Sequence, residues 1–303
     1  MSRLSVTDES GQAILVTVLF LVVLCGCVAL VMDVGSWYRE QRQAQATADS
    51  AALAGAQALP ADPSKGIALA QQYADSNGGG VDGEDIAVTS DWEPNDTITV
   101  DAKRQATGFF SRLFSVAGVN VSETAAARAG VPQQAYGVAP IVVNKAHPLL
   151  SGPGCPCFDT ETTLPLGKDG APGAFGLVDL SNSNGTVGTS TLSDWVQNGY
   201  QQYLSLGEYD SDPGAKFNAL GSALGDRIGT ELLFPVYDSL DGKGSNAQYD
   251  VIGWVAFHLD SFDGNGDNGT LTGYFTRVIW QGIQSKTNQN LPDFGVYSVS
   301  LVQ

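Results

Sequence analysis

Residues 13–32 of the chain read AILVTVLFLVVLCGCVALVM, one apolar run. It contains no charged residue and no proline, asparagine or glutamine. At about 1.5 Å per residue, a helix of this length spans about 30 Å, which matches the hydrocarbon core of a bilayer. A helix that is apolar on every face belongs in a membrane or in a large core. The stretch therefore predicts a single transmembrane helix after a short N-terminal tail, residues 1–12.

A cleaved signal peptide and a lipoprotein anchor are the alternative interpretations of this segment. A signal peptide follows a basic region and ends in small residues, whereas this run follows Asp8 and Glu9 and leads into Asp33. Residues 24–27, LCGC, have the appearance of a lipobox with Cys27 as the lipidated residue, but five more apolar residues follow. A lipoprotein-type binding module therefore stays an alternative function.

The residues after the apolar run predict an aromatic anchor and a continuing helix. Trp37 and Tyr38 lie where an aromatic belt meets the lipid headgroups, so we interpret them as membrane-interface residues. Residues 33–60 are rich in Ala, Gln, Arg and Glu, which favour helix, until Pro60. One pilin-like helix is expected from about residue 12 to 58, about 70 Å long. Its outer half carries small residues that let another helix or a sheet approach closely: Ala48, Ala51, Ala52 and Gly55.

This N-terminal region resembles the TadE/TadG-like family of Flp (tight adherence, Tad) pilus-assembly proteins. The residues that carry the resemblance are Gly11, the apolar span, Asp33 and Gly35, Tyr38, Arg42, Gln45, and ADSAALAGA at 48–56. The resemblance implies a single-pass protein of the bacterial cell membrane with most of its mass extracytoplasmic and with other pilus or envelope proteins as partners. Val16 stands five residues after Gly11, where prepilins of this system carry Glu, so the uncleaved TadG-like branch fits better.

The remainder of the chain predicts an α+β fold with a β-rich end. Residues 61–130 read as a small α+β unit with a helix at 65–76, strands at 85–90, 97–101 and 119–129, and a second helix at 108–116. In that second helix Phe109, Phe110, Leu113 and Phe114 form the expected core face. Residues 131–303 read as a sandwich-like β domain with few helices. The expected elements are strands at 138–143, 174–180, 231–237, 249–259, 271–280 and 295–302, and helices at 192–198 and 215–228.

The charge balance bears on partners. The 303 residues include 32 acidic and 15 basic ones, a formal net charge of −17. Such a field repels phosphate backbones, so nucleic acid is not expected as a partner. The expected contacts are the lipid bilayer, other pilus or envelope proteins, and a second copy of the chain through the N-terminal helix. The positive-inside comparison of Arg3 with Arg39 and Arg42 is indecisive, and the family resemblance gives the orientation.

Two acidic motifs are candidate metal sites. Asp179, Ser181 and Ser183 fit the D-x-S-x-S pattern of the adhesion motif in von Willebrand A domains, whose hard oxygen ligands suit Mg²⁺ or Ca²⁺. Asp263, Asn265 and Asp267 resemble the start of a calcium loop, without the Gly, Glu and helices that an EF-hand needs. A polar turn and a hairpin loop are the competing interpretations. A metal-dependent surface adhesin is the alternative function that these motifs allow; no cofactor is otherwise expected.

Cysteine and histidine usage argues against catalysis. Cys155 and Cys157 flank a proline in a Gly-rich loop, and we predict a disulfide between them because the domain is expected outside the cytoplasm. Free thiols and an intermolecular bond are the other options. With two histidines and no nucleophile, metalloprotease or phosphate-binding motif, the chain is not expected to be an enzyme. The sequence predicts a structural or assembly component.

Overall fold

A computed structural model describes most of the chain. The residues it describes are 9–115, 118–166, 176–183, 187–212, 217–242, 246–265, 268–287 and 290–302. They divide into two compact units. The first comprises residues 1–128 and 301–303, and the second comprises residues 129–300. The α+β class is confirmed: a long apolar helix comes first, short helices follow, and the C-terminal region is rich in strands.

The helices of the described residues run as follows. They are α1 (Glu9–Ala56), α2 (Pro63–Ser76), α3 (Pro148–Ser151), α4 (Thr189–Asn198) and α5 (Phe217–Gly225), with 3₁₀ turns at Gly83–Asp85 and Ser111–Phe114. The predicted long helix is thus confirmed as one unbroken element of 48 residues. Pro63 does not end it; this proline takes the first turn of α2, where the Asp62 carboxylate accepts a hydrogen bond from the Lys65 amide at 2.9 Å.

The strands of the described residues all lie beyond residue 85. They are β1 (Ile86–Thr89), β2 (Thr97–Ala106), β3 (Val119–Gly130), β4 (Pro132–Ala135), β5 (Val143–Asn144), β6 (Glu161–Leu166), β7 (Leu204–Ser205), β8 (Gly207–Asp210), β9 (Glu231–Asp241), β10 (Gln248–Asn265), β11 (Asn268–Thr276), β12 (Val278–Ile279), β13 (Gly282–Gln284) and β14 (Val296–Leu301).

The first unit is a helix pair packed on an antiparallel sheet. β2 pairs with β1 on one side and with β3 on the other, and the Val302 amide donates to the Ala126 carbonyl at 2.9 Å. Every second residue at the start of β2 is buried, including Ile98 and Val100. These side chains face the stripe of buried alanines on α1, so the small residues of the helix are matched by larger ones on the sheet.

The turn between β1 and β2 is organised by a buried carboxylate. Asp96 is 1% exposed and accepts hydrogen bonds from the amides of Asp91, Trp92 and Glu93 at 2.9–3.0 Å and from the Thr97 hydroxyl. Burial alone would raise the pKa of this carboxyl, but the four hydrogen bonds outweigh burial and lower it. The carboxylate is therefore charged, and in this form it holds the turn of the hairpin in place.

We expect Asp96→Asn to lower the unfolding free energy by about 2–3 kcal/mol at pH 7, because the buried amides lose a charged acceptor. A carboxyl with a lowered folded pKa stabilises the fold above its unfolded pKa of about 3.9, and this contribution is lost as pH falls through the folded value. The difference in unfolding free energy between the variant and the unchanged chain should therefore shrink as pH falls from 7 to 2. Urea titrations that follow hydrogen exchange of the β1 and β2 amides measure this difference. Glu84→Gln, at an exposed site of the same unit, is the control. An equal loss of unfolding free energy at pH 7 and at pH 2 would show that the charge of the Asp96 carboxylate does not stabilise the turn.

The second unit is built around β9, β10 and β11. β10 lies between β9 and β11 in a six-stranded sheet of order β5-β9-β10-β11-β6, with β8 also paired to β10. A smaller sheet, β13-β4-β7, lies against it, and the buried Trp254 indole donates to the Pro132 carbonyl at 3.0 Å. The largest side chains of this core are fully buried; they include Trp254, Tyr249, Phe234, Phe257 and Phe275.

Three predicted elements differ in the structure. Of the expected strand at 174–180, the described residues keep only isolated bridges at Leu177 and Val178. The expected strand at 138–143 survives only as isolated bridges and the two-residue β5, because Pro140 has no amide to continue the ladder. The expected helix at 108–116 was wrong: within 108–115, the part of it that the structure describes, the one helical element is the 3₁₀ turn Ser111–Phe114. Phe109, predicted to be core, is 84% exposed, and Phe110 is 41% exposed.

Candidate functional site

The apolar run on α1 has no protein partner among the described residues. Its large side chains are exposed, from 51% at Leu24 to 70% at Val31. α1 is the one helix of the described residues that is long and apolar enough to cross a membrane. A continuous exposed apolar surface of this size marks a contact with a membrane or with another protein, and the length of the run fits a membrane span.

The run ends at a buried carboxylate. Asp33 follows Met32 directly, is 5% exposed, and accepts hydrogen bonds from three successive amides: Phe109 at 2.6 Å, Phe110 at 3.0 Å and Ser111 at 2.6 Å. One turn further along α1, the Ser36 hydroxyl lies 3.2 Å from the Thr107 carbonyl. The connection between β2 and β3 is thus bonded to α1 at the residue where the apolar run stops.

The predicted interface aromatics directly follow Ser36 on α1. Tyr38 is 55% exposed, and the Arg42 guanidinium donates to its hydroxyl at 2.8 Å while lying 5.1 Å from its ring centre. Trp37 is half-buried, and its indole N–H has no hydrogen-bond partner among the described residues. Their role at the lipid headgroups stays a prediction.

The small-residue face of α1 is covered by its own chain. Ala48, Ala51 and Ala52 are fully buried, and Gly55 is buried between α2 and β2. A β-carbon on Gly55 would lie 2.7 Å from the Ile98 Cδ1 atom and 2.8 Å from the Gly66 carbonyl oxygen. The face therefore packs a helix and a sheet of its own chain, and its role in assembly stays a prediction. A second copy could reach it only by displacing α2 or β2.

Gly55→Ala is expected to destabilise the first unit by about 1–3 kcal/mol, because the new methyl group has to displace backbone and side-chain atoms. Gly35→Ala on the same helix has no atom within 4 Å of the added carbon and should be neutral or stabilising by up to about 1 kcal/mol. Urea unfolding in detergent micelles, read by exchange of the α2 amides, compares the two. Equal stabilities would show that the close approach is absent.

Polar contacts continue the attachment along the outer half of α1. The Arg104 guanidinium lies 2.9 Å from the Glu40 carboxylate, and Gln41 donates to Glu123 at 2.6 Å. The hydroxyl of Thr47 donates to the Asn77 carbonyl at 2.8 Å, at the end of α2. Hydrogen bonds thus hold α1 from Asp33 to Thr47, and the small-residue face follows directly after Thr47.

The D-x-S-x-S motif forms a closed turn in the second unit. Asp179 is fully buried, and its carboxylate accepts hydrogen bonds from the hydroxyls and amides of both Ser181 and Ser183 at 2.6–3.0 Å. Burial would raise the pKa of this carboxyl, but the hydrogen bonds outweigh burial and lower it. The hydroxyls that an adhesion motif would direct at a cation point to the carboxylate. Metal binding by these residues stays a prediction.

The second acidic motif lies at the end of the β10–β11 hairpin. Asp263 is exposed and pairs in register with Thr270, and Asn265 pairs with Asn268. Asp267 lies outside the described residues. Across the described part of the chain, no three Asp, Glu, His or Cys side chains gather as a metal-binding group. Calcium binding at this hairpin stays a prediction.

One pair of cysteines is bonded as a disulfide and the other pair is free. Cys155 and Cys157 form a disulfide in the structure, with their Cα atoms 4.5 Å apart. Cys25 and Cys27 are free and exposed on the apolar run. Oxidation of the first pair in the cell stays a prediction, which mass spectrometry after alkylation without reductant would test.

Two further features of the second unit were not predicted from the sequence: a histidine–carboxylate contact and a cavity. The His258 imidazole lies 3.0 Å from the Glu231 carboxylate and is stacked on Tyr274 at a centroid distance of 4.8 Å. A cavity of about 840 Å³ is lined mainly by apolar side chains. Its lining includes Leu206, Ile252, Leu291, Pro292 and Phe294 together with the Lys145–Asp238 ion pair.

Asp33 is the residue that sequence reasoning undervalued. It was noted only as part of the family pattern, whereas the structure makes it the junction between helix and sheet unit. The signal was present: a lone carboxylate directly after twenty uncharged residues has to find donors near the membrane surface. Its partners lie more than seventy residues away, which the sequence alone does not show.

The comparison with protein families agrees with this site. Residues 11–58 match the family model of Flp pilus-assembly, TadE/G-like (Tad) proteins. The match covers the apolar run, Asp33 and the small-residue face, and it ends two residues after α1. No curated protein and no solved structure matches the chain. The α1 segment thus carries both the membrane-span character and the pilus-assembly likeness.

Proposed function

We propose that the chain is a single-pass membrane protein that holds its two units on the extracytoplasmic side and serves as a structural or assembly component of a Tad/Flp-type pilus or envelope secretion system. One observation carries the proposal: α1 passes without a break from a run with no protein partner to a face that is covered by α2 and β2. A single rigid helix thereby links the bilayer to a folded unit. The family likeness covers the same helix.

The physical role of the chain is presentation rather than catalysis. The helix is anchored by its apolar side chains, and the hydrogen bonds to Asp33 fix the first unit directly above them. Because α1 is one continuous element, a force on the outer units is transmitted to the membrane segment along the helix. Such a device suits a protein that positions other pilus or envelope proteins, which are the partners the family likeness favours.

Immunogold electron microscopy of intact cells with a C-terminal epitope tag tests this role. Gold along or at the tip of filaments would make the chain a pilus subunit or tip protein. Gold confined to the cell surface would make it an envelope anchor or assembly factor, and deletion of the chain should then reduce filament number. The proposal fails if gold appears only after permeabilisation, because the units would then lie in the cytoplasm.

A further inference from the structure

The connection between β2 and β3 carries an exposed aromatic pair. Phe109 is 84% exposed, more than any large apolar side chain on the membrane run itself, and Phe110 is 41% exposed. Their ring centres are 6.4 Å apart. The adjoining Arg112 is also exposed. A folded domain rarely leaves two neighbouring phenylalanines in water without a use for them.

The position of this loop along α1 follows from the path of β2. Successive residues of β2 and of the loop that follows it contact positions of α1 that lie progressively closer to the apolar run. In chain order, the contacts are Ile98 with Gly55, Arg104 with Glu40, Thr107 with Ser36, and Phe109 to Ser111 with Asp33. The loop is therefore the end of the first unit closest to the membrane segment.

The distances place the loop at the depth of the lipid headgroups. Asp33 is the first residue after Met32, one helical rise of about 1.5 Å beyond the apolar run. The Phe109 amide is 2.6 Å from the Asp33 carboxylate. The interfacial layer of a bilayer is about 5–7 Å thick on each side of the hydrocarbon core. A loop bonded to Asp33 thus lies within this layer when the run fills the core.

We propose that residues 107–112 form a second membrane contact, in which Phe109 and Phe110 enter the interfacial layer beside α1 and Arg112 lies near lipid phosphates. The proposal rests on the proposed membrane anchoring of residues 13–32. The occupant is the bilayer that holds α1, because the hydrogen bonds to Asp33 make the loop continuous with the anchor. Aromatic side chains and cations are the residues that this layer accepts.

A second contact has a mechanical consequence. A single helix leaves an attached domain free to tilt and to rotate about the helix axis relative to the membrane. An aromatic loop on one side of the helix opposes tilt away from that side, since lifting the loop exposes the two phenyl rings to water. Rotation about the membrane normal keeps the loop at the same depth and stays free, so the contact would fix the tilt of the first unit and its height above the bilayer.

The test uses the full chain in lipid nanodiscs of phosphatidylcholine and phosphatidylglycerol, with one chain per disc so that no second copy can cover the loop. The background carries Cys25→Ser and Cys27→Ser, and its own labelling measures any reaction at Cys155 and Cys157. A nitroxide is attached at Phe109→Cys. Electron paramagnetic resonance then compares collisions with oxygen, which concentrates in lipid, and with a water-soluble nickel chelate.

Two control sites make the result decisive. Leu21→Cys lies in the apolar run. Tyr73→Cys replaces a side chain that is 46% exposed on α2. The C-cap of α2, Asn77, contacts α1 at Gln43, well beyond Asp33. We expect the Phe109 label to favour oxygen over nickel, as the Leu21 label does, while the Tyr73 label favours nickel. Nickel access at Phe109 equal to that at Tyr73, with Leu21 still in lipid, would overturn the loop contact and leave the anchor intact. Nickel access at Leu21 would overturn the anchor and the loop contact together.

Discussion

Replacing Ala52 by glutamate is expected to unfold the first unit. Ala52 is fully buried on the face of α1 that packs α2 and β2. A carboxylate there would have no cation and would lack room, and an unpaired buried charge costs about 3–5 kcal/mol or more. This is a large share of the stability of a small domain, about 5–15 kcal/mol. Hydrogen exchange of α2, β1 and β2 in micelles should rise to the level of an unfolded chain.

Ala46→Glu is the matched control for this substitution. Ala46 lies on the same helix and is exposed, so its glutamate should leave exchange in the first unit unchanged. The pair separates the effect of burial from the effect of adding a negative charge to an acidic protein. Native exchange in the Ala52 variant would refute the packing of the small-residue face. A loss of pilus assembly with intact exchange would instead indicate an intermolecular contact.

Introducing two arginines into the apolar run is expected to abolish membrane anchoring. The run owes its insertion to its many Leu, Val, Ile and Phe residues, which together contribute roughly 4–8 kcal/mol. Arginines at Leu21 and Val22, near its centre, would each cost about 2.5–3.5 kcal/mol. The sum cancels most or all of the insertion free energy, so the variant should fail to partition as an integral membrane protein.

Carbonate extraction of membranes measures this outcome. The double variant Leu21→Arg, Val22→Arg should appear in the supernatant, whereas Leu21→Ala, Val22→Ala should remain in the pellet because it adds no charge. Both side chains are more than half exposed, so neither pair should disturb the packing of the first unit. An arginine variant that still pellets with the membrane would show that another part of the chain anchors it.

The parts of the fold that depend on composition were predictable from sequence. The apolar run and the alanine-rich continuation are long and unambiguous, and the structure joins them in one helix. The strands around β9, β10 and β11 carry β-branched and aromatic residues over enough length to be recognised. β10 proved longer than expected because it extends through Asp263 to the hairpin tip, where the residues are polar.

The expected helix at 108–116 failed at its end, and its start depends on a contact that is distant in sequence. The amides of Phe109, Phe110 and Ser111 donate to Asp33, as the first amides of a helix donate to a cap. Only a 3₁₀ turn of four residues follows, and Ser115 ends it in a left-handed conformation at φ 64°. No local pattern signals that the capping carboxylate lies on another element.

The candidate site was predictable in its apolar and small-residue parts and not in its polar junction. Ala48, Ala51 and Ala52 were identified because small side chains at helical spacing have one common use. Asp33 was identified only as part of a pattern, because a carboxylate has many uses and its donors are set by the fold. The D-x-S-x-S turn shows the reverse: a motif suggested a ligand set, and the structure shows hydroxyls that bond within the motif.

In the proposed topology, residues 13–32 hold the two units on the outer side of the membrane. Protease treatment of intact spheroplasts, with a C-terminal tag on the otherwise unchanged chain, shows on which side the units lie. We expect the tag to be lost without lysis, at the rate seen after lysis, while a cytoplasmic marker survives. A tag that persists in intact spheroplasts and disappears only on lysis would refute the proposed topology.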